Sequence, residues 1–319
     1  MTSNFAMDAA SRQQDYADSP VSVCIVILPG MVIIFNPVAG RRRAALLWRV
    51  LDVLVHNGVR LDVAETRCSG DAACLAREAA SRGEKLVVAA GGDGTIAEVA
   101  NGLLGTGVRL GVIPLGTANV LAHELALPFA PRAVAAALAF GRTRRLWPGL
   151  ARGTNGARLF VQMLGVGFDA YVVHHLPLAM KRVFGRGAYV MEALRDTVSY
   201  RYAPITVRVD GAESQAASVI VSKGRFYAGR YLLAPDAIPE ARGFSVSLFR
   251  HNGAGAALMY GAALPLNLLA HAPGVQHVRA QQVDVVGNRA APAQADGDPA
   301  GYAPLSVIDA PEPIDVVMG

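Results

Sequence analysis

The chain has 319 residues, enough for about two domains that each bury a core. Hydrophobic residues make up 52% and charged residues 17%, which excludes a disordered or charge-driven chain, and 7% aromatic residues is too few for an aromatic-rich nucleic-acid platform. The net charge of +5 favours anionic partners such as nucleotides or a lipid surface without choosing between them.

Cys24, Cys68 and Cys74 are an odd, small set that forms no disulfide framework and fits reduced thiols in a cytoplasmic protein. The most apolar run, Val21 to Phe35, is broken by Pro29-Gly30 and falls short of the roughly 20 residues that cross a bilayer. Acidic Asp8, Asp15 and Asp18 precede it where a signal peptide would be basic. Membrane contact, if any, is therefore expected to be peripheral, at the inner face.

Residues 1–30 read as a disordered N-terminal extension, and Met31, directly before the strand-like Val32 to Phe35, is a candidate translation start. A strand over 31–36 is followed by Asn36-Pro37-Val38-Ala39-Gly40 and three arginines, Arg41 to Arg43. Leu46, Leu47, Val50, Leu51 and Leu54 then recur at helix spacing over 43–57. A strand over 59–65, a helix over about 70–82 and a strand over 85–90 lead to Gly91-Gly92-Asp93-Gly94-Thr95 and a helix over 95–104. A strand over 109–113 ends in Pro114-Leu115-Gly116-Thr117-Ala118-Asn119, again before a helix. This alternation predicts an α/β domain over 31–147 with a doubly wound parallel sheet.

The rhythm changes near Trp147-Pro148. Short β-branched runs at 158–164, 204–210, 216–222, 244–250, 278–286 and 305–309 predict an antiparallel β-sandwich or barrel over 148–319. A helical insert over about 178–199 interrupts it, and 253–271 fits a helix or a loop equally well.

Three turns of the first domain share one design: a strand end, glycines with small polar residues, then a helix start. In a doubly wound sheet such turns gather at the carboxyl edge, where ligands bind. Glycines admit a close-lying ligand, and helix N-termini present free N–H groups to anions. Asn36 to Gly40, Gly91 to Thr95 and Gly116 to Asn119 are thus expected to converge on phosphates, with Arg41 to Arg43 adding charge. The loops match neither the P-loop nor the dinucleotide-binding fingerprint. Asp93 is the informative residue: a carboxylate among phosphate-binding glycines repels phosphate unless a cation such as Mg²⁺ lies between. The competing reading makes Asp93 a cap of the helix that follows it.

The run Gly91-Gly92-Asp93-Gly94-Thr95-Ile96-Ala97-Glu98-Val99, with Asn36-Pro37-x-x-Gly40 before it and Pro114-Leu115-Gly116-Thr117-Ala118-Asn119 after it, resembles the diacylglycerol kinase catalytic-domain family, which includes bacterial lipid kinases, sphingosine kinases and ceramide kinases. Gly165 to Ala170, Phe226 to Arg230, Ala234 to Ala237 and Asp296-Gly297-Asp298 are also similar to that family, so the likeness spans about 31–318. The resemblance implies a nucleotide-binding domain, a β-sandwich lipid-binding domain, a cleft between them, and transfer of the ATP γ-phosphate to a hydroxyl of a diacylglycerol- or sphingoid-like lipid. It implies nucleotide contacts at Asn36, Pro37, Val38, Ala39, Gly40, Thr66, Gly92, Asp93, Gly94, Thr95, Ile96, Ala97, Glu98, Thr117 and Asn119, with Asp93 organising Mg²⁺. The family's catalytic base, a Glu, falls on Asp298, one methylene shorter.

Two further departures follow. Ala97 stands where the family commonly has Asn. Arg242, in Pro239-Glu240-Ala241-Arg242-Gly243, stands where several bacterial members place an Asp that helps hold a structural Mg²⁺, so that accessory site is expected to be absent.

Leu176 to Tyr202, which mixes apolar residues with Lys181, Arg182, Arg186 and Arg195, is the expected lipid or membrane contact, unless it is an ordinary amphipathic helix packed on the sandwich. His174-His175, read as strand neighbours, would point to opposite faces and share no ion. No nucleic-acid motif accompanies the scattered arginines. An NAD kinase-like enzyme and a non-catalytic nucleotide- or lipid-binding regulator are the competing functions.

Overall fold

The computed structural model describes residues 30–38, 44–154, 156–175, 195–197, 199–286 and 291–319. The expected extension over 1–30, apart from Gly30, and most of the expected helical insert lie outside them, as do Ala39, Gly40 and Arg41 to Arg43.

The first half alternates as its pattern requires. β1 (Met31–Phe35), α1 (Ala44–His56), β2 (Leu61–Glu65), α2 (Asp71–Ser81), β3 (Leu86–Gly91), α3 (Asp93–Leu103) and β4 (Arg109–Pro114) follow in order, then α4 (Val120–Glu124), α5 (Pro131–Phe140) and β5 (Thr143–Leu146). β1 and β3 are buried along their whole length, the mark of a parallel sheet covered on both faces. Val32 and Ile34 pack with Ala76, Ile96 and Val99 of α2 and α3, whereas Met31, Ile33 and Phe35 pack with Leu47, Leu51 and Leu138 of α1 and α5. Each strand's two-residue period thus feeds two separate cores.

The second half is a sandwich of two six-stranded sheets. One contains β6 (Gly149–Gly153), β7 (Gly156–Phe160), β9 (Ile205–Val209), β10 (Ala212–Ala216), β16 (Val283–Val285) and β19 (Leu305–Asp309). The other contains β8 (Met163–Val166), β11 (Ser218–Ser222), β14 (Phe244–Phe249), β15 (Val275–Ala280), β17 (Pro292–Ala295) and β18 (Asp298–Tyr302). Val207, Val283, Leu305 and Val307 of the first meet Leu164, Val219, Val246 and Ala293 of the second. A small hairpin, β12 (Phe226–Tyr227) with β13 (Tyr231–Leu232), lies outside both sheets.

Three expectations need correction. First, the chain after residue 147 does not stay in the sandwich. β20 (Ile314–Val317) returns to the first sheet, where it lies between β4 and β5. Ile314 and Val316 bury on one face and Val317 on the other, which suits the interior of a sheet covered on both sides. Second, His174-His175 end a helix, α6 (Phe168–His175), not a strand, despite Val172-Val173. His174 Nε2 bonds the Ala293 carbonyl and His175 Nδ1 bonds the Tyr171 carbonyl, so their rings still part. Third, the helix after the Gly91-Gly92 turn starts at Asp93, so Asp93 and Gly94 belong to its first turn. The undecided 253–271 stretch is a helix, α7 (Ala254–Ala263), followed by a 3-10 turn at Leu269–His271.

Candidate active site

The three glycine loops meet at the carboxyl ends of β1, β3 and β4. Leu115 and Gly116 both donate their N–H to the Gly91 carbonyl. Gly92 and Gly116 approach so closely that a Cβ on Gly116 would lie 2.5 Å from the Gly92 Cα. Only glycine satisfies that crossing. The Asn36 Nδ2 donates to the Thr95 hydroxyl at 3.0 Å, and its Oδ1 accepts the Val38 N–H, so the first loop is stitched to α3. Asn119 takes a left-handed conformation, φ 47°, which Asn tolerates. Its Nδ2 donates to the Gly116 carbonyl, and its buried Oδ1 has no hydrogen-bond partner among the described residues. An unpartnered buried acceptor at a loop junction is a place for an external donor or cation.

Three aspartates face this junction from two domains. Asp93 does not cap its own helix; its Oδ1 accepts the Leu121 N–H, so it pins the start of α4 instead. Asp296 and Gly297 form the turn between β17 and β18, with φ of 50° and 84°. The Asp296 carboxylate accepts the N–H groups of Val161, Gln162 and Met163 at 2.7–2.9 Å. Burial pushes its pKa up to about 7, those three donors oppose the rise, and the charge on Asp93 adds to it. The turn delivers Asp298 onto α3: a Cβ on Gly94 would overlap the Asp298 carboxylate. Arg158 of β7 lies 3.8 Å from the same carboxylate.

The other sequence-derived positions divide. Thr95 is buried. Thr117 is exposed and Pro37, Gly92 and Gly94 half-exposed at the same edge, with Val38 more open. Thr66 begins the neighbouring loop, its N–H donated to the Phe35 carbonyl. Glu98 reaches that loop, accepting from the Ser69 hydroxyl and the Gly70 N–H. The Ile96 and Ala97 side chains point into the core, so neither faces the edge; only their backbone can. Ala39 and Gly40 lie outside the described residues.

Several residues of the site's frame received no role from the sequence, although Asp169 lies in the Gly165 to Ala170 run that resembles the family. Glu124, buried at the end of α4, accepts Arg225 Nε and the N–H groups of Arg225 and Phe226, tying the two domains together. Asp169 accepts from the Tyr227 hydroxyl and from Gln294 Nε2; burial raises its pKa against those two bonds. Lys223, fully buried, donates to the carbonyls of Ala241 and Gly243 and to Asp309 Oδ1 at 2.7–3.1 Å. Arg242 lies over the Trp147 ring instead of turning toward those carbonyls. Partners this far apart in the chain leave no local motif.

Known proteins share both halves. Residues 30–149 match the family model of the diacylglycerol kinase catalytic domain, and residues 162–318 match that of the YegS C-terminal NAD kinase beta sandwich-like domain. A diacylglycerol kinase of Bacillus subtilis is 33% identical over 213 residues, which span 64% of this chain and 68% of that protein. A Pseudomonas putida protein named "probable lipid kinase YegS-like" is 32% identical over 58% of this chain and 62% of its own length, just under two thirds. A crystal structure of a diacylglycerol kinase from Bacillus anthracis shares the fold, with TM-score 0.68 over 92% of this chain and 97% of that one at 19% identity.

Proposed function

Because the chain belongs to the diacylglycerol kinase family and is a kinase by that kinship, we propose that it transfers the γ-phosphate of ATP to the hydroxyl of a diacylglycerol- or sphingoid-like lipid. The observation that carries this reading is the position of Asp298: a hairpin of the second domain sets a carboxylate on the glycine edge of the first.

Phosphoryl transfer depends on positioning and charge neutralisation more than on covalent help from the protein. The N–H groups at the start of α3 and the half-exposed Gly92 give the phosphates a place to lie beside the Asp298 carboxylate on Gly94. Glu98 holds the Ser69-Gly70 loop, and Asn36 with Thr95 holds the first loop. Asp298 accepts the proton of the lipid hydroxyl as its oxygen bonds to the γ-phosphorus and the bond to the bridging oxygen of ADP breaks. Arg158 orients that carboxylate.

The donor set fits Mg²⁺. Among the described residues no group of three or more His, Cys, Asp or Glu could hold a metal ion. Mg²⁺ instead takes one or two carboxylates and completes its shell with phosphate oxygens and water. Asp93, bonded to the Leu121 N–H two residues after Asn119, would supply the carboxylate. When bound, the ion neutralises charge on the phosphates.

The test is transfer of label from γ-labelled ATP, with Mg²⁺, to diacylglycerols, monoacylglycerols, sphingoid bases, ceramides and phosphatidylglycerol, with NAD as a separate acceptor. A labelled lipid supports the proposal. Label in NAD alone, or in no acceptor, overturns it.

A further inference from the structure

From His251 to Val278 the chain contains not one Asp, Glu, Lys or Arg. This segment forms α7 and the turns after it, and none of the ten residues of α7 is buried although all are Ala, Gly, Leu, Met or Tyr. Tyr260, Ala263 and Leu264 pack inward on Phe249, Leu269 and Ile220. The outer side carries Gly255, Leu258 and Ala262, and beyond it Leu266 and Leu268 stand 67% and 56% exposed. Packing within the chain leaves those leucines in water. Single exposed apolar residues are ordinary, but an uncharged segment with three exposed leucines within eleven residues is not.

We infer that this surface docks the protein on an anionic lipid bilayer, with Leu258, Leu266 and Leu268 entering the interface. Charge selects that occupant. Between Ser214 and Val283 the only acidic residues are Asp236 and Glu240. Glu240 pairs with Arg144, and Asp236 sits beside Arg279 toward the opposite end of β15. Two exposed arginines flank the segment: Arg250 opens it, held by Gln276 and the Gln215 carbonyl, and Arg230 precedes the strand whose Leu232 N–H donates to Asn267 Oδ1. An uncharged apolar patch flanked by exposed Arg, with the nearby Glu213 paired to Arg208, has the composition of a surface that rests on anionic headgroups. At ten residues α7 lies on a bilayer and does not cross it; among the described residues no helix is long and apolar enough to span one.

The surface also leads to the site. Met163 and Tyr227 belong to the apolar cluster under α7. The Met163 N–H donates to Asp296, and the Tyr227 hydroxyl donates to Asp169. The packing under α7 is thus joined by two hydrogen bonds to carboxylates of the site's frame. This role deepens the lipid-kinase proposal and rests on it.

The experiment compares the full chain with the Leu266→Asp/Leu268→Asp variant in sedimentation with vesicles of phosphatidylcholine containing phosphatidylglycerol. Both leucines are exposed, so melting temperature should not move, and measuring it checks that the variant folds. Vesicle binding by the native chain should weaken as salt rises, and the variant should bind at least about ten-fold more weakly. Phosphorylation of a short-chain, monomeric diacylglycerol should persist in the variant, while that of a long-chain one in vesicles should fall. Equal binding by both proteins, or none by the native chain, overturns the surface. So does a variant that loses self-association and binds vesicles normally, which would make a second copy the occupant. A native chain that binds vesicles through these leucines yet phosphorylates neither lipid would sustain the surface and sink the kinase reading.

Discussion

The carboxylate of Asp298 rests on the Cα of Gly94, with no room for a methyl group between them. One residue comes from the first turn of a helix in the parallel-sheet domain and the other from the first position of a strand in the sandwich. The glycine is therefore needed for its missing side chain as much as for its backbone. Gly94 has no positive φ, so alanine is compatible with the helix there. Gly94→Ala should fold with an almost unchanged melting temperature and lose about 10²-fold in kcat by displacing the carboxylate. Steady-state kinetics beside a thermal melt checks this, and a fully active Gly94→Ala enzyme would remove Asp298 from the reaction.

The two domains are tied at Glu124, whose buried carboxylate receives three N–H groups from Arg225 and Phe226. Glu124→Ala leaves the two main-chain donors without their acceptor and should cost about 1–3 kcal/mol in denaturant unfolding. Arg225→Ala keeps both main-chain bonds to the carboxylate and removes only a guanidinium that is nearly half exposed, so it should cost less than Glu124→Ala. Equal losses would place the stability in the ion pair instead.

Lys223 is an internal cation. Burial lowers its pKa, and the bond to Asp309 works against that shift. Lys223→Met would strand a carboxylate and two carbonyls, at a cost of about 3–5 kcal/mol, and adding Asp309→Asn should recover part of it. A double-mutant cycle from chemical denaturation measures the coupling.

Asp296 gives the stability a pH dependence. Its folded pKa, about 7, lies above the ordinary value of 3.8. Between those values the folded state holds a proton that the unfolded chain has released. Stability from this group is complete below about pH 4 and is lost as pH rises through about 7. Melting temperatures across that range should fall less for Asp296→Asn, which keeps a side chain tolerant of φ 50°, than for the native protein. Parallel curves for the two would assign the slope to other groups.

The sequence revealed what is local. β1 and β3 announced themselves as continuous apolar runs, and the glycines at 91, 92 and 116 marked turns that do meet. What was not legible is what depends on distant partners. Nothing near Asp93 shows that its carboxylate binds the Leu121 N–H, and nothing near Lys223 announces the carbonyls of Ala241 and Gly243. β20 lies beyond the last run read as a strand, 305–309, and its burial on both faces explains its return to the first sheet. His174 and His175, read as strand neighbours, instead end a helix, where Val172-Val173 do not prevent helix formation because β propensity is weak and context-dependent. Asp296-Gly297 form the turn between β17 and β18, and its consequence for Asp298 appears only with the other domain in place.

The most direct test of the central claim is label transfer from γ-labelled ATP into a lipid extract by the native chain, Asp298→Ala and Asp298→Glu, each checked for an unchanged fold. The account predicts a labelled lipid with the native chain, a loss of at least about 10²-fold with Asp298→Ala, and retained transfer with Asp298→Glu, which keeps the carboxylate. Full transfer by Asp298→Ala would contradict it, because the carboxylate over Gly94 would then have no part in moving the proton.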